Sequence, residues 1–323
     1  MTKKRIGVIG TFVWDVIHGR QPNAAPVQEW GGITYSLGAL DAALPPDWEI
    51  VPIMKIGHDL AEQARRYLGT LRRIAPDAAL VEVPYPNNRV ELRYFSDERR
   101  TETLSGGVPG WNWLGLKPLI DSSRLDALYV NFLSGWEMDL ETTQALRAHF
   151  RGPMYADLHM LVMAVQADGL RVPRPLSHAR EWCGCFDLLQ VNEDEIQMLA
   201  PDPLALAATA LHAGARCLVV TMGKRGAVYF AEQGFDGLAD LARMRAGPPA
   251  PIRTELIPAE TVLHPLDPTG CGDVWGATCF SRLVAGDNLG AAIRAAHRAA
   301  ARNVEHRGAT GLADHLRGTL SFT

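Results

Sequence analysis

The sequence predicts an α/β fold organised on a mostly parallel sheet, and three observations carry that expectation. Short apolar runs at Ala127–Phe132, Met154–Asp157, Leu188–Val191 and Cys217–Thr221 recur with helical stretches between them, which is the spacing of βαβ units. Apolar residues make up 47% of the 323-residue chain, ample for a buried core in one large domain or two smaller ones. No internal repeat or low-complexity linker divides it. In sheets of this kind ligands collect beyond the carboxyl ends of the strands, which is where Asn131, Asp157, Asn192 and Thr221 fall.

Composition narrows the function classes before any motif is read. The formal net charge is −4 with the signs interspersed, so there is no basic field for nucleic acid, and Lys3-Lys4-Arg5 reads as the solvated start of the first strand. The apolar segment from Arg5 to Ile17 carries Gly7, Gly10 and Asp15, is too short to span a bilayer and has no signal-peptide cleavage pattern. The expectation is a cytoplasmic protein without a membrane partner. Five cysteines, an odd number in a large chain, argue against a disulfide framework, and Cys183-Gly184-Cys185 has no second ligand pair at zinc spacing nearby.

In chain order, Arg5 to Ile9 ends at Gly10 and Thr11 to Ile17 follows, together a buried strand and its continuation. Asp15 interrupts that apolar run; a carboxylate there is either turned to solvent or aimed at the hydroxyls of a ligand. Gly31-Gly32 opens a small-residue helix from Ile33 to Leu44, which Pro45-Pro46 ends. From Leu80 to Gly107, Val81, Val83, Val90, Leu92 and Tyr94 alternate with polar residues, and Asp97-Glu98-Arg99-Arg100 marks a polar turn. That is the pattern of an antiparallel β segment with one wet face. Asn192 before Glu193, Asp194 and Glu195 suits an N-capped helix start, and Gly223 and Gly226 suit a turn between strands. The Gly- and Pro-rich stretch Ala246 to Pro258 reads as a surface loop.

The chemistry concentrates between Leu263 and Gly286. Val262 and Leu263 lead as a strand into a turn at Asp267-Pro268, after which Val274, Ala277, Phe280, Leu283 and Val284 recur at helical spacing. Gly270, Cys271 and Gly272 therefore lie at a helix start, where small residues admit a ligand to the backbone and the first amides have no intrahelical partner. Asp273 sets a carboxylate among those amides. A base beside an anion cradle suggests phosphoryl transfer to a hydroxyl, whereas a capped turn with Asp273 complementing the helix dipole would need no function.

The segment Asp267-Pro268-Thr269-Gly270-Cys271-Gly272-Asp273 resembles the signature Asp-Thr-x-Gly-Ala-Gly-Asp of the ribokinase-like (phosphofructokinase-B) family of sugar and nucleoside kinases, with Pro268 and Cys271 as departures. Gly31-Gly32 with Ser36 resembles the family's Gly-Gly-x-x-x-Asn, Ser36 standing where Asn is usual. Asn192 to Glu195 resembles Asn-x-x-Glu, and Thr221 to Gly226 resembles Thr-x-Gly-x-x-Gly. Together with the last helix, Leu289 to Val304, and Arg307 to Thr310, the resemblance runs from about residue 5 to about residue 312. It implies a single three-layer αβα domain over residues 1–323 with a small β lid from approximately 12–30 and 80–107.

The resemblance also implies roles. Asp273 would be the catalytic base, with Gly270, Cys271 and Gly272 as its anion hole. Asp15, Gly31, Gly32 and Ser36 would join Asp273 in binding substrate. Asn192, Glu195, Thr221, Gly223, Gly226 and His297 would serve ATP, with magnesium held indirectly through Glu195 and potassium at Asp267 and Thr269. The activity implied is ATP-dependent phosphorylation of a hydroxyl on a sugar or sugar-like molecule. A nucleoside is the alternative acceptor, for which Phe12, Trp14, Trp30, Tyr35 and Trp136 would offer stacking faces. A catalytically silent sugar-binding protein is the rival from another class, and the retained Asp273 counts against it. The apolar face of a lid must be covered, which leads to the expectation of a homodimer.

Overall fold

The computed structural model describes residues 3–18, 25–78, 80–94, 100–244, 251–263 and 265–318. An eight-stranded sheet runs through the molecule in the order Ile252–Ile257, Ala227–Glu232, Cys217–Thr221, Leu188–Asn192, Met154–Asp157, Ala127–Asn131, Lys4–Ile9, Trp48–Ile53. The last six of these are mutually parallel, and the first two are added antiparallel at one edge.

Alternation along the strands divides the core in two. Ile6, Val8, Leu188, Cys217 and Val219 face one cluster, built with the helices Ile33–Ala43, Cys271–Val284 and Leu289–Val304. Ile9, Leu189, Val191, Leu218 and Val220 face the other, filled by Leu116, Leu146, Leu206 and Ala210 from helices on the opposite side. Because both faces are covered, the strands read as near-continuous apolar runs, and this is why they were legible. None of the described helices is long and apolar enough to cross a membrane.

A second, four-stranded sheet has the order Val27–Gly32, Phe12–His18, Arg89–Tyr94, Arg100–Ser105. One of its faces carries a small cluster of Val13, Val90, Leu92 and Leu104.

Several expectations for individual elements need correction. Arg5 to Ile17 is not one strand and its continuation: the chain leaves the main sheet at Gly10-Thr11, and Phe12–His18 belongs to the small sheet. Val81–Val83 pairs in parallel with Lys55–Gly57, apart from the small sheet. Ile252–Ile257, read as loop, is the edge strand; Arg253, Thr254 and Glu255 give it the polar composition that hid it. No strand forms at Val262 and Leu263, and Leu263 is exposed. The polar turn at Asp97 to Arg99, residues 19–24 of the lid segment, and 246–250 of the expected loop lie outside the described residues.

Candidate active site

The carboxyl ends of the parallel strands, the start of the helix Cys271–Val284 and the apolar face of the small sheet enclose a cleft of about 410 Å³. Gly270 caps the helix at φ 73°, with no side-chain cap. A Cβ there would stand 2.2 Å from Cδ1 of the buried Tyr35 ring, so both the dihedral and the space demand glycine. The backbone of Gly270, Cys271 and Gly272 therefore lines the cleft at the positive end of the helix dipole. The loop before it is pinned from three directions: Gln190 Nε2 donates to the Gly272 carbonyl at 3.1 Å, Asn303 Nδ2 to the Thr269 carbonyl at 2.9 Å, and the Thr269 amide to Asp267 Oδ1 at 2.9 Å.

Asp273 points from the first turn of this helix to the cleft floor, where Asn131 Nδ2 donates to its Oδ1 at 2.6 Å. Burial raises its pKa above the ordinary carboxylate value and the nearby Glu195 adds to this, against the pull of the His159 charge and the Asn131 hydrogen bond. Asn131 is itself steadied by Ser36, whose hydroxyl it reaches at 3.3 Å.

Beside Asp273 stands a second group, Asp157, His159 and Glu195, whose potential ligand atoms all lie within 4.8 Å of one another. His159 Nδ1 is 3.0 Å from Glu195 Oε1, and Asn192 Nδ2 donates to the same oxygen at 2.6 Å. Asn192 and Glu195 also form a reciprocal capping box at the start of Glu193–Leu199. Burial draws the His159 pKa down, but the Glu195 hydrogen bond and the charges of Glu195, Asp157 and Asp273 outweigh it and lift the value to about 10. The ring is 32% exposed and borders the cleft. Burial, then Glu195 and Asp273, hold the Asp157 carboxyl well above its ordinary value despite the His159 charge.

At the other end, under the small sheet, lie Asp15, Glu102 and Arg171. Arg171 donates to Glu102 at 3.2 Å and to the Leu133 carbonyl at 2.9 Å. Asp15 is buried, and a Cβ on Gly31 would fall 1.8 Å from its Oδ2, so Gly31 serves by leaving the carboxylate room.

Of the residues singled out in the sequence, Asp15, Gly32, Asn192, Glu195, Thr221, Gly223, Thr269, Gly270, Cys271, Gly272 and Asp273 border this one cleft. Gly31, Ser36, Gly226, Asp267 and His297 do not. Ser36 is fully buried, 3.3 Å from the Tyr129 hydroxyl. Gly226, at φ 102°, sits against the Ile257 carbonyl. His297 is buried away from the cleft: Nδ1 accepts from Trp275 Nε1, and Nε2 lies 3.1 Å from the Ile257 carbonyl oxygen, so both ring nitrogens are engaged. His159, Arg171, Gln190 and Glu102 escaped sequence reasoning. His159, two residues beyond a strand-end Asp, carried a signal; a lone Arg in the short hairpin strand Arg171–Pro173 carried none.

Residues 159–315 match the model of the pfkB family carbohydrate kinases. Among solved structures, a ribokinase from Thermotoga maritima shares 18% identity over 98% of this chain and 99% of its own, with a TM-score of 0.67. A Burkholderia thailandensis nucleoside kinase in complex with inosine shares 16% over 96% and 94%, with a TM-score of 0.68. A pyrophosphate-dependent kinase in the ribokinase family shares 14% over 94% and 96%, with a TM-score of 0.71. At these identities the structures establish a common fold. No curated protein matches by sequence. Over residues 159–315 the chain thus resembles the pfkB family of carbohydrate kinases, and over nearly its whole length it has the fold of these ribokinase-like structures.

Proposed function

We propose that the protein transfers the terminal phosphoryl group of ATP to a hydroxyl of a sugar or sugar-like molecule, with Asp273 as the base. The observation that carries this reading is the placement of Asp273: it is oriented by Asn131 beside an uncapped helix start, in the same cleft as Asp15. In its ionised form Asp273 accepts the acceptor's hydroxyl proton as that oxygen attacks phosphorus, and Asn131 keeps the carboxylate aligned. The amides of Gly270, Cys271 and Gly272 hydrogen-bond the oxygens of the phosphoryl group in flight, the Cys271 N–H exchanging for this its 3.2 Å bond to the Pro268 carbonyl. Asp15 accepts from acceptor hydroxyls, and Gly32 lets the acceptor approach the backbone. Asn192, Glu195, Thr221 and Gly223 line the donor end. Magnesium, held indirectly through Glu195, would supply the positive charge that balances the donor oxygens. Its fit is supported by three cleft carboxylates, Asp157, Glu195 and Asp273, with a single histidine among them. Asp267 and Thr269, beside the anion hole, are the potassium candidates.

A sugar is favoured over a nucleoside because the aromatic side chains are spent elsewhere. Phe12 and Trp14 each pack edge-on against Trp30, Trp136 borders a different groove, and of the five candidates only Tyr35 lines the cleft. The test is a screen of purified protein against sugars, polyols and nucleosides with ATP or pyrophosphate as donor, read by phosphorylated product. Product from a sugar and ATP is the expected outcome. Ligand-induced thermal stabilisation with no product from any pairing would leave a binding protein.

A further inference from the structure

We propose that Gln190 is a positioning residue for the transfer: through the Gly272 carbonyl it sets the direction of the first turn of Cys271–Val284, and with it the backbone of Asp273, while Gly276 keeps open the space that Gln190 needs. This goes beyond the proposed function and rests on that reading for the use made of the turn, not for the contact itself.

Gln190 is an amide in the middle of an apolar strand. Leu188–Asn192 reads Leu-Leu-Gln-Val-Asn, and alternation turns Gln190 to the face of Leu188, the face that the helix Cys271–Val284 covers. The side chain is buried, so both ends of its amide must find partners. Oε1 accepts from the Tyr155 hydroxyl, and Nε2 donates to the Gly272 carbonyl at 3.1 Å. A carbonyl can only accept, which fixes the end of the amide that meets the helix. Tyr155 is itself fully buried and stacked on Tyr129 with ring centroids 5.3 Å apart, so the amide is braced from behind by two packed rings.

The helix is shaped to receive this side chain. Gly272 and Gly276 are four residues apart and share one helix face. A Cβ on Gly276 would stand 2.3 Å from Gln190 Oε1 and 2.9 Å from the Tyr155 hydroxyl oxygen. Glycine is unfavourable inside a helix, and here the close approach of Gln190 accounts for it. The Gly272 carbonyl and the Asp273 N–H belong to one planar peptide unit, so a donor that holds the carbonyl also holds the amide and Cα of Asp273. Asn131 aligns the Asp273 side chain at its tip, and Gln190 fixes it at its root.

The test is steady-state kinetics of Gln190→Met and Gly276→Ala with the acceptor and donor found in the screen. Methionine keeps the length and removes the amide, whereas alanine suits a helix interior and displaces Gln190 from a position that does not border the cleft. Each variant should lose about 10- to 100-fold in kcat, the effect of a small misplacement of reacting groups, with both KM values little changed. Because both variants break one contact, the double variant should be no slower than the slower single one. Lower melting temperatures with kcat unchanged, or losses that multiply in the double variant, overturn the proposal; if Gln190→Met fails to fold, Gly276→Ala carries the test. The kinase reading fails separately. If the wild type forms no product with any acceptor, inorganic phosphate titrated calorimetrically with Mg²⁺ present reads the helix start directly: weaker binding in the variants supports the positioning role, and equal binding, or none by the wild type, overturns it.

Discussion

Replacing Asp273 by Asn separates the proposed chemistry from the architecture, because the two side chains differ little in shape and strongly in charge. The variant amide can still accept the Asn131 hydrogen bond now made at 2.6 Å. Exchanging a charged acceptor for a neutral one weakens that bond by about 1 kcal/mol. Acting the other way, burial raises the Asp273 pKa, so the ionised group is the less favoured form in the folded protein. A folded-state pKa above the unfolded value gives stability that is full below the unfolded pKa and is lost as pH rises through the folded one. At pH 8 the wild type bears that loss and the variant does not. The two effects oppose each other, and the melting temperatures at pH 8 should agree within about 4 °C. As pH falls toward the ordinary carboxylate range, the wild type should gain on the variant. Turnover should drop by about 10² to 10⁴ with both ligand affinities retained, the contribution of a general base. The measurements are turnover, two dissociation constants, and melts at pH 8 and pH 5. If turnover falls less than about tenfold, or if the variant only loses the roughly 0.3 to 1 kcal/mol of a dipole complement, Asp273 is not the base.

Three further outcomes follow from the same geometry. Gly31→Ala brings a methyl group to 1.8 Å from Asp15 Oδ2 and must displace that carboxylate, so the acceptor KM should rise about 10- to 100-fold, the loss of a charged hydrogen bond, with the donor KM unchanged; Asp15→Ala should do the same, and an unaltered acceptor KM in both would remove Asp15 from the substrate site. Gly270→Ala imposes a left-handed φ on a residue with a Cβ and drives it to 2.2 Å from the Tyr35 ring, costing roughly 2 to 5 kcal/mol; a melting temperature within a degree of wild type would contradict this. Turnover should be higher in potassium chloride than in choline chloride if Asp267 and Thr269 hold the ion that orders the anion-hole loop, and equal rates would show that the loop's own hydrogen bonds, from Asn303 and within Asp267 to Thr269, suffice.

The parts of the fold legible in the sequence are those where one local pattern determines the structure. Cys217–Thr221 and Leu289–Val304 have the expected bounds because a strand covered on both faces and an amphipathic helix each leave an unbroken signature. Gly270 was legible because the turn tolerates only glycine. What stayed hidden depends on tertiary placement. Nothing local distinguishes Phe12–His18 as a strand of a second sheet from a continuation of the first, and only the family resemblance assigned residues 12–30 to the small sheet; the edge strand Ile252–Ile257, held by pairing with Ala227–Glu232 more than by burial, has no apolar run to announce it. The same limit applies to the site. Ser36 occupies a motif position and His297 lies on the expected last helix, yet whether a side chain faces the cleft or the interior depends on what packs against it: for Ser36 that is Tyr129 and Asn131, for His297 Trp275 and Ile257.

Charge balance ties the two halves of the cleft together. On one side are the open amides of a helix start, worth roughly half a positive charge. On the other are Asp157, Glu195 and Asp273, and a phosphate group entering within about 4 Å of any one of them meets a repulsion of order 4 kcal/mol at an effective dielectric of about 20. The amides alone cannot offset three such neighbours, and the His159 cation is already committed to Glu195. Either the carboxylates take up protons, which would disable Asp273 as a base, or a further cation enters. On the proposed function, the acid cluster admits a phosphoryl donor at neutral pH only with a divalent cation beside it, whose two charges together with the helix-start amides offset most of the three carboxylates.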